Sequence, residues 1–313
     1  MRSMYPTYEA FVEAMGGRHE VVLYDPGRPA AEQLRGVGVV IDDGGSEHTR
    51  ELVELSIKAG VQLWHVTTNG LDHVNTALFF ESGMPFAHAS GWQSAVALAE
   101  HVMLIVLYFA KNLHRNRADH WLERSCNEEL GGRVLGIVGL GASGRELARR
   151  AWPFGMRIMA VDAVPVPQVT LDELHVESFG DVSQLGRIAA AADYLSIHTP
   201  LSETTRHLID RRVLGLLKPS AVLINVARGE IVEEAALVEA LQAGRIKGAG
   251  LDTYAQEPLP AGHPLLSMPN VITTPHIAGV TDGTFRRRAE AAAGNVERIA
   301  QGLAPVDVIR RPA

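Results

Sequence analysis

The sequence predicts an α/β protein of two doubly wound domains, one of them discontinuous, and three observations carry that expectation. Between residues 133 and 274 short apolar runs alternate with helical stretches, the mark of a parallel sheet wrapped by helices. The first part of the chain repeats the alternation more weakly, and the last part reads as a single helix with no strand of its own. With 313 residues, the chain also exceeds what one ordinary core organises.

The elements follow in chain order. Residues 1–15 read as helix. Strands are expected at Val21-Val22-Leu23-Tyr24, Val37-Gly38-Val39-Val40-Ile41 and Val61-Gln62-Leu63-Trp64-His65-Val66. The apolar run 102–110 follows Glu100 and His101 on one helix. It is too short to span a bilayer and is expected to be a core or subunit-contact helix. Further strands are expected at 134–138, 157–161, 194–197, 221–224 and 248–251, whose near-continuous apolar character suits burial on both faces. Helices are expected at 145–154 and 233–243, the second stopped by Gly244. The helix 282–301 is expected to pack back on the first domain. One domain then comprises residues 1–101 with 281–313, the other residues 102–280, and the cleft between them is the natural ligand site.

Composition narrows the function classes. Lys plus Arg is 29 and Asp plus Glu 36, a net charge of -7, which disfavours nucleic acid and anionic membrane as partners. The one cysteine, Cys126, excludes an intrachain disulfide and fits a reducing cytoplasm. The N-terminus lacks the apolar core of a signal peptide.

Gly139-Leu140-Gly141-Ala142-Ser143-Gly144 follows a predicted strand and opens a predicted helix. The first glycine allows a tight turn, the second lets the backbone approach a pyrophosphate at the helix N-terminus, and the third lets helix and strand pack closely. G-x-G-x-x-G alone is weak evidence in a chain with 30 glycines. Context strengthens it, because Asp162 ends the next strand eighteen residues after Gly144. An acid there accepts hydrogen bonds from the adenosine ribose and repels a 2′-phosphate, and Ala163 and Val164 beside it supply no cation. NAD is the expected cofactor.

Three polar segments follow strand ends: Asn225-Val226-Ala227-Arg228-Gly229-Glu230, Leu251-Asp252-Thr253-Tyr254-Ala255-Gln256-Glu257-Pro258-Leu259 and Thr273-Thr274-Pro275-His276-Ile277-Ala278-Gly279. In open parallel sheets such segments face one crevice. Together with Asn69-Gly70-Leu71-Asp72-His73-Val74, Val96-Ala97-Leu98-Ala99-Glu100-His101, the glycine loop and His198-Thr199-Pro200-Leu201 with Thr205, they resemble the D-isomer-specific 2-hydroxyacid dehydrogenases, the family of D-glycerate, D-lactate and D-3-phosphoglycerate dehydrogenases.

The resemblance implies a flavodoxin-like, discontinuous substrate domain and a Rossmann-like NAD-binding domain. It implies a reaction that interconverts a D-2-hydroxy acid and its 2-keto acid. His276 matches the general acid/base, Glu257 the carboxylate that holds its ring, and Arg228 the guanidinium that binds the substrate carboxylate. Asn69 and Gly70 match the loop whose amides capture the other carboxylate oxygen. Gly139, Gly141, Ala142, Ser143, Gly144, Asp162, Thr199, Pro200, Thr205, Val226, Ala227, Asp252, His276 and Gly279 fall along the cofactor, Asp252 at its carboxamide. A homodimer is usual in the family. An NAD(H)-sensing protein of the same fold, like the family's transcriptional corepressors, keeps the same three residues and stays open as an alternative. An L-specific lactate or malate dehydrogenase places its glycine loop at the chain start, unlike this chain.

Taken singly, the residues have plainer readings: Arg228 as a helix-start surface group, Glu257 as a turn residue before Pro258, His276 as a satisfied polar group beside Pro275. With thirteen histidines in the chain, only the flanks single out His276. His65, His73, His88, His101 and His198 are read as structural, His101 as a hydrogen-bonded helix residue. No His/Cys/Asp cluster has metal-ligand spacing, so no metal is expected.

The chain departs from the family in places. Asp42-Asp43-Gly44-Gly45-Ser46 stands where the phosphoglycerate branch carries basic side chains, with only Arg50 downstream, and no regulatory domain is expected after Pro312. A non-phosphorylated substrate such as glyoxylate, hydroxypyruvate or a related keto acid is therefore expected. The family's asparagine near residues 90–94 is not evident, with Trp92 and Gln93 in that region. Asn75 replaces a usual acid, and the family's first strand is absent or degenerate.

Overall fold

The computed structural model describes residues 7–42, 48–72, 74–113, 115–116 and 118–310. His73, the stretch 43–46 and the first residues of the predicted N-terminal helix lie outside them. The chain forms two compact units, residues 1–93 with 280–313 and residues 94–279. The boundary expected at 101/102 falls inside the helix Trp92–Ala110, nearly all of which belongs to the second unit.

In the first unit β1 (Val39–Asp42), β2 (Leu63–Val66) and β3 (Phe86–His88) form a parallel sheet in that order. The helices Arg50–Ala59 and Thr76–Ser82 start on side-chain caps, Thr49 accepting from the Leu52 amide and Asn75 from the Leu78 amide. Asn75 thus works as a cap, a role open to either Asn or Asp. Trp64, Val53, Leu78, Phe79 and Phe86 make the core, with the Phe79 and Phe86 rings stacked 4.5 Å apart. The helix Asp282–Ala300 packs its Ala289, Ala292 and Ala293 on Phe11 and Met15 of the helix Thr7–Met15. Ile309 then donates its amide to the Phe86 carbonyl, tying the tail to β3.

Residues 21–24 correct the sequence reading. They form no strand, because Val21 packs into the helix pair while Val22, Leu23 and Tyr24 are exposed and unpaired by any ladder. The run is apolar but, among the described residues, has no sheet neighbour. β3 is the opposite error: three residues are too few for a periodicity signal.

The second unit holds β4 (Val134–Val138), β5 (Arg157–Val161), β6 (Val176–Gly180), β7 (Tyr194–Ile197), β8 (Val222–Asn225), β9 (Gly248–Leu251) and β10 (Val271–Thr273). All are parallel, in the order β10-β9-β8-β7-β4-β5-β6. The order reverses at β4, so the carboxyl ends of β4 and β7 flank the switch point where such sheets bind ligands. The edge strands β6 and β10 went unpredicted, since each is only partly buried and lacks a long apolar run. The expected helices are present at Ala142–Ala151 and Glu234–Gln242.

The helix Trp92–Ala110 is long and apolar enough to cross a membrane by composition, but more than half of it is buried in this unit's core. β9 explains how it fits. A Cβ on Gly250 would lie 2.4 Å from Ile105 and one on Gly248 2.6 Å from Phe109, so only a glycine strand admits the helix this closely.

Candidate active site

The glycine loop has the geometry its three glycines require. Gly139 has φ +97°, and a Cβ there would meet the His198–Thr199 backbone at 2.8 Å. A Cβ on Gly144 would lie 2.1 Å from the Gly139 carbonyl oxygen, which sets how closely helix and strand approach. Gly141 caps the helix Ala142–Ala151 with no side chain bonded over it, and its missing Cβ faces open space. The helix's first amides are thus open to an anion, as a dinucleotide pyrophosphate requires.

Around the loop, His198 Nδ1 lies 3.0 Å from Ser143 Oγ and Nε2 2.9 Å from Ser196 Oγ. Burial pushes this imidazole down to about 4, so it is neutral and braces the loop. Asp162 accepts from the Leu140 amide at 2.6 Å and from the Val164 amide at 2.9 Å. Its carboxylate thereby stands against the glycine loop at the end of β5. Thr205 Oγ1 donates to the Pro200 carbonyl at 2.7 Å and accepts from the Ser202 amide at 2.7 Å, closing the turn that begins at Thr199.

Arg228, Glu257 and His276 follow three adjacent strands, since Asn225 of β8 pairs with Leu251 of β9 and Leu251 with Thr273 of β10. Asn225 accepts from the Ala227 amide at 3.0 Å and donates to the Arg228 carbonyl at 2.8 Å, shaping the turn through Val226 that carries the guanidinium. Arg228 itself donates to the Ala227 carbonyl at 2.8 Å. Gly229 permits the closest contact: a Cβ there would overlap the Tyr254 carbonyl carbon at 1.8 Å. The β8 and β9 turns therefore touch backbone to backbone.

His276 has φ +54°, a left-handed backbone uncommon for residues other than glycine. The neighbouring bonds hold it there. Asp252, buried, accepts from Thr274 Oγ1 at 2.6 Å and from the Ile277 and Ala278 amides at 2.8 Å each. The cofactor role implied for Asp252 thus comes with a second one, pinning the loop that carries His276 and leads to Gly279. Tyr254 OH donates between the Leu251 and Thr274 carbonyls, and burial raises its hydroxyl to about 12. His101 reaches the same knot, its Nε2 3.2 Å from Thr274 Oγ1.

Glu257 Oε2 lies 2.7 Å from His276 Nδ1, and its Oε1 accepts from the Tyr254 amide at 3.0 Å. The carboxylate accepts the hydrogen bond from Nδ1–H, so Nε2 is left as the nitrogen that gives and takes protons. Tyr254, Glu257, Pro258, Leu259, Thr274, Pro275 and His276 line an open cavity of about 590 Å³. Sequence reasoning missed Asn225, Tyr254 and Thr274, whose only sequence signal is a polar residue beside each strand end.

Asn69 and Gly70 lie in the other unit, on an exposed loop after β2, where Thr68 Oγ1 donates to the Gly70 carbonyl at 3.2 Å.

Comparison with known proteins agrees with this geometry. Residues 101–278 match the D-isomer specific 2-hydroxyacid dehydrogenase, NAD binding domain family. The chain is 31% identical over 292 residues to a D-3-phosphoglycerate dehydrogenase of Methanocaldococcus jannaschii, covering 90% of this chain and 53% of that longer relative, about half its length. It is 35% identical to a hydroxypyruvate reductase of Thermotoga maritima, covering 70% of this chain and 71% of the relative. The crystal structure of a D-isomer specific 2-hydroxyacid dehydrogenase from Lactobacillus delbrueckii ssp. bulgaricus, in its NAD complexed form, superposes with a TM-score of 0.84 at 26% identity, covering 98% of each chain.

Proposed function

The chain belongs to the D-isomer specific 2-hydroxyacid dehydrogenase family, and from that premise we propose that it interconverts a D-2-hydroxy acid and its 2-keto acid with NAD(H). The observation that carries the reading is the Glu257–His276 pair at 2.7 Å, opening on a cavity. Bound NADH supplies the hydride to C2 of the keto acid.

The protein's own residues do the rest. His276 Nε2 holds the proton delivered to the carbonyl oxygen, and Glu257 steadies the ring through Nδ1. Arg228 binds the substrate carboxylate and draws negative charge toward the developing alkoxide. Asn69 and Gly70 keep the role of backbone donors to that carboxylate. The open amides after Gly141 suit the pyrophosphate, and Asp162 suits an unphosphorylated ribose.

A non-phosphorylated substrate, such as glyoxylate or hydroxypyruvate, is favoured by the acids and glycines at Asp42-Asp43-Gly44-Gly45-Ser46. A homodimer is favoured by Leu104, Leu113, Trp121 and Leu122, all more than half exposed on the second unit. A cytoplasmic setting is inferred from the single, exposed cysteine.

The test is a keto-acid panel read with NADH and NADPH side by side. Turnover with NADH, and a loss of roughly 10²–10⁴-fold in His276→Ala, are expected. NADH binding with no turnover on the whole panel would point to a sensor instead.

A further inference from the structure

The helix Asp282–Ala300 carries an arginine that the fold does not use. Thr284, Arg288, Ala292 and Asn295 recur at helical spacing and share one face. Thr284, Ala292 and Asn295 are fully buried, so this face packs on the rest of the first unit. Arg288 is half-buried among them, and its Nε is shut off from solvent with no hydrogen-bond partner among the described residues. Burial lowers its pKa, with no acid beside it to offset the effect.

The other arginines along this helix find partners. Arg287 donates to the Gln93 carbonyl at 2.8 Å, Arg298 to the Ala304 carbonyl at 2.6 Å, and Arg18 pairs with Glu297. A buried cation that nothing neutralises costs stability, so Arg288 has the character of a group kept for a ligand.

The two ends of the helix fix where it stands. Arg287 is bonded to Gln93, which lies beyond the carboxyl end of β3, while Asn295 Nδ2 reaches His65 Nδ1 inside β2 at 3.0 Å. The helix therefore descends from the carboxyl ends of the strands. Arg288 lies seven residues before Asn295, about 10 Å along the axis, and helical side chains lean further toward the N-terminus. Its guanidinium is thus carried past Val66, the last residue of β2, to the level where the chain runs on to Asn69 and Gly70.

We infer that Arg288 is a specificity residue: it receives a second, singly charged acidic group, a carboxylate or sulfonate, at the end of the keto acid remote from C2. This rests on the dehydrogenase reading above, in which the carboxylate next to C2 already has its donors in Arg228 and the loop amides. One guanidinium forks onto one such oxyanion and balances its charge, whereas a phosphate carries nearly two charges. Among non-phosphorylated keto acids, those with a remote acid are therefore the preferred class.

The test compares wild type, Arg288→Met and Arg288→Lys on pairs that differ in a carboxylate against a methyl. Oxaloacetate and 2-ketobutyrate are compared for turnover with NADH. D-malate and D-2-hydroxybutyrate are compared for equilibrium binding to the enzyme with NADH, where no reaction follows. Sulfopyruvate and 3-phosphohydroxypyruvate complete the panel. Wild type should favour the acid-bearing member about tenfold or more in kcat/KM and in Kd. Arg288→Met should bring both ratios close to one, and Arg288→Lys should recover part of the preference. Sulfopyruvate should behave like oxaloacetate, and the phosphorylated acid should be poorer than both. Because Arg288→Met removes an unpartnered buried cation and keeps an apolar stem, it should melt no lower than wild type. A clear fall in Tm, or failure to fold, would show that the guanidinium holds the fold and would overturn the inference. So would wild-type ratios near one, ratios unchanged in Arg288→Met, or a phosphorylated acid that outruns both singly charged ones, each leaving the dehydrogenase reading intact. A wild type that reduces no keto acid on the panel would overturn both.

Discussion

On the proposed function, the two units would offer polar groups to an anionic substrate by different means. In residues 94–279 the chemistry belongs to side chains: Arg228, Glu257 and His276 stand at the ends of three neighbouring strands. Asn225, Asp252 and Tyr254 tie their turns down through hydrogen bonds. In residues 1–93 with 280–313 the proposed contact with the carboxylate next to C2 belongs to the backbone of the loop after β2, where Thr68 Oγ1 holds the Gly70 carbonyl. A site made of side chains is written in residue identity. A site made of amides is written in peptide orientation, which almost any residue type can adopt if its surroundings impose it.

After the loss already expected for His276→Ala, the next largest effect separates the two modes directly. Arg228→Ala should cost about 10²–10³ in kcat/KM for the keto acid, the scale of losing one preorganised donor to developing charge. Steady-state kinetics with saturating NADH measures it, and a loss under tenfold would break the claim that side chains dominate the second unit. Next, Glu257→Gln should lower kcat about 10- to 100-fold, as expected for weakening a charge-assisted hydrogen bond worth about 1.5–3 kcal/mol. The same variant should leave KM for NADH unchanged.

Stability against pH comes third. Burial holds His65 at about 4 against 6.5 for the free group. The folded state resists protonation, so its contribution is complete above pH 6.5 and is lost as pH falls from 6.5 toward 4. At pH 5 the loss is about 2 kcal/mol for this ring, read by urea unfolding at pH 7 and pH 5. His65→Gln should flatten that dependence; an equally steep curve would show that the ring is not the group responsible. His198, likewise held at about 4 by burial in the second unit, shifts the curve in the same direction.

The smallest effect is the sharpest contrast. Asn69→Ala should change kcat/KM by less than about threefold, because the loop contributes backbone and the side chain is exposed. A loss comparable to that of Arg228→Ala would mean that this loop works through its side chain after all.

Most of the fold was legible where burial is two-sided. β4, β5, β7 and β9 begin and end where their apolar runs do, because a strand covered on both faces has no polar alternation to blur its ends. The run 21–24 misled, since local apolarity cannot say whether a neighbouring strand exists. β3, β6 and β10 escaped notice, being short or partly exposed edge or end strands.

Sequence alone determined the dinucleotide loop, its acid at Asp162 and the three polar segments at strand ends, because glycine spacing and charged residue types are local and chemically singular. Only the tertiary structure decided that Asp252 pins the His276 loop and that Gly229 must be glycine because Tyr254 passes against it. Each of these depends on which groups meet across distant strands, and a hydrogen bond or a van der Waals overlap exists only once both partners are in place.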